Sequence, residues 1–396
     1  MRIAKWRRTA SVTLAGGLFA AAASVAAPAM AKDNYKIGVV VPFSGVYAYF
    51  GEEAKRGYEL AIEERGSKVL GVPIVVQWED TETKPQVAVQ KGIKAMTDGA
   101  EIIFGAGASS ETLALAKIAT QRKVPMVVTI SGDPSLTGDQ RSHYVFRTTK
   151  STTMETKIAI EGEKKLGLKR LYSVTADYSV TRGDAERFKA ALPAGVTIVG
   201  EDLTPIGTKD FSVIVNRIAN SGADGVAVFL AGGDTITFLK QAEEIKLRNK
   251  VKFLGAYYID NAAINAVGEG ALGAVSTPRW DYKLDYPDSK AFLQKYKAKY
   301  GKIPTFWAAE AYDGMKWWLQ TIDKTQSWDK ETWITAFETS AMDNAVVGKR
   351  TMRACDHQAS MPGFLAEVVK GTSDASPFEM NVIATYEARD IASPCP

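Results

Sequence analysis

The sequence is poor in the residues that most often carry metal or nucleophilic chemistry. It has two cysteines and two histidines in 396 residues, whereas a structural zinc site normally takes four such ligands. Cys355-Asp356-His357 could be mistaken for metal ligands or a Cys/His catalytic pair, but with so few such residues the structural reading is preferred; both cysteines, Cys355 and Cys395, lie near the end of the chain. In an oxidising compartment a single pair is most simply a disulfide that ties down the tail. The dinucleotide fingerprint is also missing, since Gly105-x-Gly107 is followed by Ser110 where a third glycine belongs. There is no Gly-Lys-Ser/Thr phosphate loop and no Gly-x-Ser-x-Gly elbow, and neither His143 nor His357 lies in a context that suggests a nucleophilic partner. No catalytic residue, metal or cofactor is therefore expected.

Charge of one sign is scarce as well. The formal net charge is +4, and it resides in Arg2, Lys5, Arg7 and Arg8, ahead of an apolar run from Val12 to Ala27 that ends in Ala29-Met30-Ala31. That is the pattern of a secretory signal peptide cleaved after Ala31. The rest of the chain is balanced, which gives no pull toward nucleic acid or an acidic membrane. It also holds no further run apolar enough to span a bilayer. The roughly 365 residues that remain suit two domains of about 150 residues each.

What is present is a repeated strand, loop and helix. Tyr35 to Val41, Ile74 to Trp78, Ile102 to Phe104 and Met126 to Thr129 read as short apolar strands, with helices over Glu52–Glu64, Pro85–Thr97 and Leu113–Arg122 between them. After the extended segment Tyr144 to Thr148 the alternation starts afresh. Strands are expected at Arg170–Val174, Thr197–Leu203, Gly225–Leu230 and Lys252–Leu254, with helices at Thr152–Leu166, Gly183–Leu192, Phe211–Ser221 and Thr235–Ile245. The class is α/β with two doubly wound parallel sheets. Beyond a second extended segment, Gly273 to Pro278, helical periodicity returns at Lys290–Tyr300 and Ala308–Thr325. Too few strands are expected there for a third sheet, so these helices are expected to return to the first lobe.

In parallel sheets ligands sit beyond the carboxyl ends of the strands. Three such loops carry polar groups or rings: one at Phe43, one at Ser109 and Ser110, and one at Ser131-Gly132-Asp133. The serines at the start of a helix, with its unpaired N–H groups, suit an anion. On this stretch alone the simpler reading is that one serine caps the helix, since serine is a preferred N-cap wherever a helix starts. Phe43, Tyr47, Tyr49, Phe50, Tyr178, Tyr257 and Tyr258 all fall in expected strand-end loops, and so does Gly232. Rings with a few polar groups are the usual lining of a small-molecule site; ordinary packing of loops onto helix ends is the other reading of each ring.

Lys36-Ile37-Gly38-Val39-Val40-Val41-Pro42-Phe43-Ser44-Gly45 resembles the opening of periplasmic solute-binding proteins of the branched-chain amino acid type, which serve ATP-driven (ABC) importers. The resemblance continues through Gly105 to Thr112, Phe146-Arg147-Thr148, Tyr300 to Pro304 and Ala309 to Gly314. It implies two lobes joined by a three-strand hinge (the type I periplasmic binding fold), lobe 1 from residues 32–148 and 277–348, lobe 2 from 149–276 and 349–396. It implies a monomer in the periplasm that hands a small ligand to permease and ATPase subunits. In amino-acid binders of that family a serine matching Ser109 and the loop matching Ser131-Gly132 hold the ligand carboxylate, with rings near Tyr47 and Phe50. An acid in the loop matching Gly255 to Asp260 pairs with the ligand ammonium, and here Tyr257 stands at about that position. Losing that acid argues against an amino acid and for an aromatic carboxylate such as a hydroxybenzoate or cinnamate derivative. Asp177, Asp234 or Asp260 as a displaced partner would restore the amino-acid alternative. A ligand-sensing receptor and an exported hydrolase are the competing classes; the first needs a membrane span and the second a nucleophile motif.

Overall fold

The computed structural model describes Met1, residues 32–373 and residues 376–395; the signal-peptide reading of residues 1–31 lies outside the described residues. Contacts separate Met1–Asp33 from Asn34–Pro396, and the architecture below belongs to the second unit. Its first half runs β1 (Tyr35–Val41), α1 (Ala48–Glu63), β2 (Lys68–Val69), β3 (Val72–Asp80), α2 (Pro85–Thr97), β4 (Ile102–Gly105), α3 (Ser109–Gln121), β5 (Met126–Val128) and β6 (Val145–Arg147). The sheet order is β2-β3-β1-β4-β5-β6, parallel except for the β2–β3 hairpin at its edge. Val39, Phe104 and Val127 lie side by side across its centre and are fully buried, as continuous apolar strands covered on both faces must be.

The second half runs α4 (Thr152–Leu166), β7 (Arg170–Ala176), α5 (Ser179–Ala190), β8 (Thr197–Thr204), α6 (Ser212–Asn220), β9 (Gly225–Phe229), α7 (Gly233–Glu244), β10 (Lys252–Gly255), α8 (Asn261–Val267) and β11 (Val275–Ser276). Helix α4 starts where the sequence says it should: the Ser151 hydroxyl caps it by accepting from the Met154 N–H. Three helices follow, α9 (Pro287–Tyr300), α10 (Phe306–Thr325) and α11 (Lys330–Glu338). The fully buried carboxylate of Glu53 on α1 holds the first two to the first sheet, accepting from Tyr296 at 3.0 Å, Thr305 at 3.1 Å and Lys302 at 2.5 Å. The tail then adds β12 (Ala341–Met342), β13 (Arg350–Met352), β14 (Ala359–Ser360), β15 (Gly363–Ser373), β16 (Ser376–Tyr386) and α12 (Ala388–Ile391).

The tail corrects the expectation that no third sheet forms. Strands β12, β13 and β14 make a small antiparallel sheet, and β15–β16 is an antiparallel hairpin that joins the second sheet beside β11, in the order β16-β15-β11-β10-β9-β7-β8. Strands of two or three residues carry no periodic signal, which is why they escape a sequence reading. The two parallel-dominated sheets with helices on their faces are the expected α/β class.

Where the chain passes from one sheet to the other, each segment carries a fully buried arginine: Arg147, Arg279 and Arg350. Arg147 donates to Gln358 at 2.6 Å and Thr137 at 2.7 Å. Arg350 donates to Glu310 and the Thr148 carbonyl and lies 2.8 Å from Asp313. Arg279 is paired with Glu155 on α4 at 2.7 Å. Two residues beyond Arg279, burial pushes the Asp281 carboxyl up to about 7. Because its folded value lies above the ordinary carboxylate range near 4, folding is favoured most at low pH, and stability falls as pH rises through about 7. Asp281→Asn should therefore raise Tm at pH 8 and change it little at pH 4; equal shifts at both pH values would contradict this account.

Cys355 and Cys395 form the expected disulfide, with a Cα–Cα distance of 5.9 Å and a sequence separation of 40. Closing that loop is worth about 4 kcal/mol in the chain-entropy model. Reducing the bond, or replacing both cysteines by alanine, should lower Tm by several degrees, and intact-mass measurement of the exported protein should find no free thiol.

Candidate ligand-binding cleft

The apolar strand β4 ends in the turn that launches α3, and the helix begins at Ser109 itself, with Ala108 as its N-cap residue. The Glu111 carboxylate accepts the Ala108 N–H at 2.7 Å, so the helix end is tied without either serine. The capping reading of these serines is thereby set aside. The Ser109 hydroxyl instead accepts from the Ser131 hydroxyl at 3.0 Å, which brings the two strand-end loops together. The Ser110 N–H donates to the Tyr178 hydroxyl, 3.2 Å away on the other lobe.

These groups border a cavity of about 50 Å³ between the lobes, room for about four waters at 10–15 Å³ each. Seven residues singled out in the sequence line it: Tyr47, Phe50, Ser109, Ser131, Gly132, Tyr178 and Tyr257. Tyr47 stacks on Phe50 with ring centroids 5.1 Å apart, and Phe50 meets Trp307 at 4.3 Å. Arg279 completes the wall, its guanidinium 5.4 Å from the Tyr257 ring and 5.1 Å from Trp307. Burial works against its charge, and the bidentate Glu155 carboxylate more than offsets that. No carboxylate lines this cavity.

Gly132 has a steric reason. A Cβ there would lie 2.8 Å from the Thr152 methyl and 3.1 Å from Nη2 of Arg279. Any larger residue would press on both, so the missing side chain is what lets the guanidinium stand beside the Ser131 loop.

Three expected residues lie elsewhere. Phe43 packs on Trp78 at 6.2 Å under Lys55, because its N–H and that of Ser44 are fastened to Asp80. Ser110 contributes its N–H at the rim and not a lining side chain. Gly232 belongs to a neighbouring chamber. The Tyr257 hydroxyl is not free for a ligand either: it donates to Asp184 at 3.0 Å, and burial raises it well above the ordinary phenol value. Nor do the three candidate acids reach the cavity. Asp177 pairs with Arg182, Asp234 accepts the Gly207 N–H, and Asp260 caps α8 while accepting from Trp307 at 3.1 Å and Tyr49 at 3.4 Å. Thr152, Arg279 and Trp307 were missed by sequence reasoning. For Arg279 a signal existed, an arginine directly after the extended Gly273–Pro278 segment.

The histidines are occupied away from the cleft, His143 with Glu331 at 2.8 Å and His357 with Glu338 at 3.0 Å, and Cys355 is in its disulfide. Residues 34–373 match the family described as periplasmic binding protein. The chain belongs to that family. Among curated relatives it is 31% identical over 313 residues to a Leu/Ile/Val-binding protein homologue of Brucella melitensis, covering 76% of this chain and 79% of the relative. Among solved structures, a solute-binding protein of an ABC transporter from Rhodopseudomonas palustris, in complex with p-hydroxybenzoic acid, is 26% identical with a TM-score of 0.83 over 90% of this chain and 98% of that one. A leucine-binding protein from Thermotoga maritima is 25% identical with a TM-score of 0.78 over 90% and 99%. The family and the fold are those of substrate-binding proteins of ABC transporters, which bind small ligands and engage a permease, and not those of enzymes. Family membership implies the periplasm, and no described helix is long and apolar enough to cross a membrane.

Since Ala108 and Glu111 already secure the start of α3, Ser109→Ala removes only one hydroxyl pair. It should cost less than about 1.5 kcal/mol in denaturant unfolding of the ligand-free protein. A larger loss would return the serine to a structural role.

Proposed function

We propose that this binding protein captures a small aromatic carboxylate, a hydroxybenzoate or cinnamate derivative, and delivers it to the permease of an ABC importer. One observation carries the reading: the cavity wall holds two serine hydroxyls and a guanidinium but no carboxylate. A bound ammonium would have no counter-charge there, at a cost of several kcal/mol, whereas a carboxylate would meet donors. Ser109 and Ser131 hold it in this reading, with the adjoining N–H groups at the start of α3 and Arg279 behind. Tyr47, Phe50, Tyr257 and Trp307 enclose the ring. Two relatives of known structure with hydroxylated benzoates bound support the same class.

The lobes are taken to part at residues 148/149, 276/277 and 348/349. Entry would break the bond from Ser110 to Tyr178 and the bonds Asp260 accepts from Tyr49 and Trp307, and closure would remake them, which is the hinged motion of a two-lobed binder. Export with cleavage after Ala31 and action as a monomer complete the proposal.

The names of the curated relatives favour a second reading, a branched-chain amino acid as ligand. Calorimetry on the mature protein with 4-hydroxybenzoate, p-coumarate and leucine separates the two. Heat from an aromatic acid, none from leucine, and a ten- to hundredfold weaker affinity in Ser109→Ala are expected, since a hydrogen bond to a charged group is worth about 1.5–3 kcal/mol. Tight leucine binding with silence from both aromatic acids would give the site to the amino acid.

A further inference from the structure

The cavity wall carries no carboxylate, yet one stands behind a ring that lines it. Asp184 on α5 is 1% exposed and absent from the lining. Its Oδ1 pairs with Arg187, whose Nη2 also donates to the Thr152 hydroxyl at 3.1 Å. Its Oδ2 accepts from the Tyr257 hydroxyl at 3.0 Å. Thr152 and Tyr257 both line the cavity. Tyr257 thus reaches from the cavity, at its ring, to a buried acid, at its hydroxyl, and the ring lies between the two.

A strained backbone holds the ring in that place. Tyr257 has a φ of +42°, in the left-handed region that a bulky side chain avoids. Its N–H donates to the Thr277 hydroxyl at 3.0 Å, and the Arg279 guanidinium lies 5.4 Å from its ring centroid. Glycine would suit this backbone better, so the turn itself does not require a ring. The acid behind it is also in need of donors: burial raises the Asp184 carboxyl, against the opposing pull of Arg187, Thr152 and Tyr257. The phenol supplies Oδ2 with a neutral donor. An ammonium in its place would bring a donor and a counter-charge together, the stronger arrangement.

We infer that Tyr257 sets the specificity of the cleft by masking Asp184: its ring screens the carboxylate from the cavity and its hydroxyl occupies Oδ2, so the site refuses a ligand that carries an amine opposite its acid group. Such ligands are excluded by an acid that is covered, and not by the want of one. This rests on the carboxylate-binding reading above and assigns its selectivity to one side chain.

The test measures 4-hydroxybenzoate, 4-(aminomethyl)benzoate and 4-ethylbenzoate by calorimetry on the mature protein, on Tyr257→Gly, and on Tyr257→Gly combined with Asp184→Asn. Glycine fits the left-handed backbone, so the single variant keeps the fold, which circular dichroism verifies. The wild-type protein should bind the hydroxy acid more tightly than the aminomethyl acid. In Tyr257→Gly the ratio of the two affinities should shift toward the aminomethyl acid by roughly ten- to hundredfold, the worth of a hydrogen bond between charged groups. The ethyl acid, of the same shape but uncharged, should not share the shift, and adding Asp184→Asn should abolish it. A ratio unmoved by Tyr257→Gly, an equal shift for the ethyl acid, or a shift that survives Asp184→Asn would overturn the masking role, while wild-type binding of the hydroxy acid would keep the carboxylate reading in place. Silence of the wild-type protein toward the hydroxy acid would overturn the two together.

Discussion

Three guanidinium groups taken out of water hold this molecule in register. Arg147, Arg279 and Arg350 are fully buried, one on each segment that passes between the sheets, and a buried cation is tolerable only when its donors are satisfied. All three reach across elements that are distant in sequence: Arg147 donates to Gln358, Arg279 to Glu155 and the Ile130 carbonyl, and Arg350 to Glu310, with Asp313 as a second carboxylate beside it. The planar fork of arginine suits this better than a lysine ammonium would, because several donors are fixed in one plane.

Arg279 carries that constraint into the cleft. Its guanidinium is braced by Glu155 behind and by the Tyr257 and Trp307 rings at its sides, and the bare backbone at Gly132 gives it space. The aromatic stack of Tyr47, Phe50 and Trp307 is contributed by the first lobe and faces Tyr178 and Tyr257 from the second. A site assembled this way is complete only when both lobes are together.

Much of this was legible in the sequence, and the reasons are particular. The buried strands β4 and β9 announce themselves by unbroken apolar runs, and Pro85–Thr97 and Thr152–Leu166 were legible to the residue because a proline and a serine mark their starts. Seven of the ten cleft residues expected at strand ends do line the cavity, since a parallel sheet delivers all such loops to one edge. What failed was contact made at long range. Phe43 looked like its neighbours in the same loop, but Asp80 turns it onto Trp78. Trp307 sits at the start of a helix some 250 residues from the rings it joins, and no local pattern records that meeting. The short strands of the tail were invisible for the opposite reason, being held in place by partners and not by their own composition.

The order in which the chain visits the lobes has a kinetic consequence. The first sheet is finished at Arg147, yet the helices that cover α1 arrive only at Pro287–Thr325; the second sheet gains its last two strands only at Gly363–Tyr386. Neither sheet is completed and covered by one contiguous stretch, so a chain growing from its amino end can bury neither core until most of its length has followed. Loop-closure entropy must be met before those distant contacts form, and for that interval apolar faces and strand edges stand open to aggregation. The Cys355–Cys395 bond spans β14, β15 and β16, so it can close only once those strands are present.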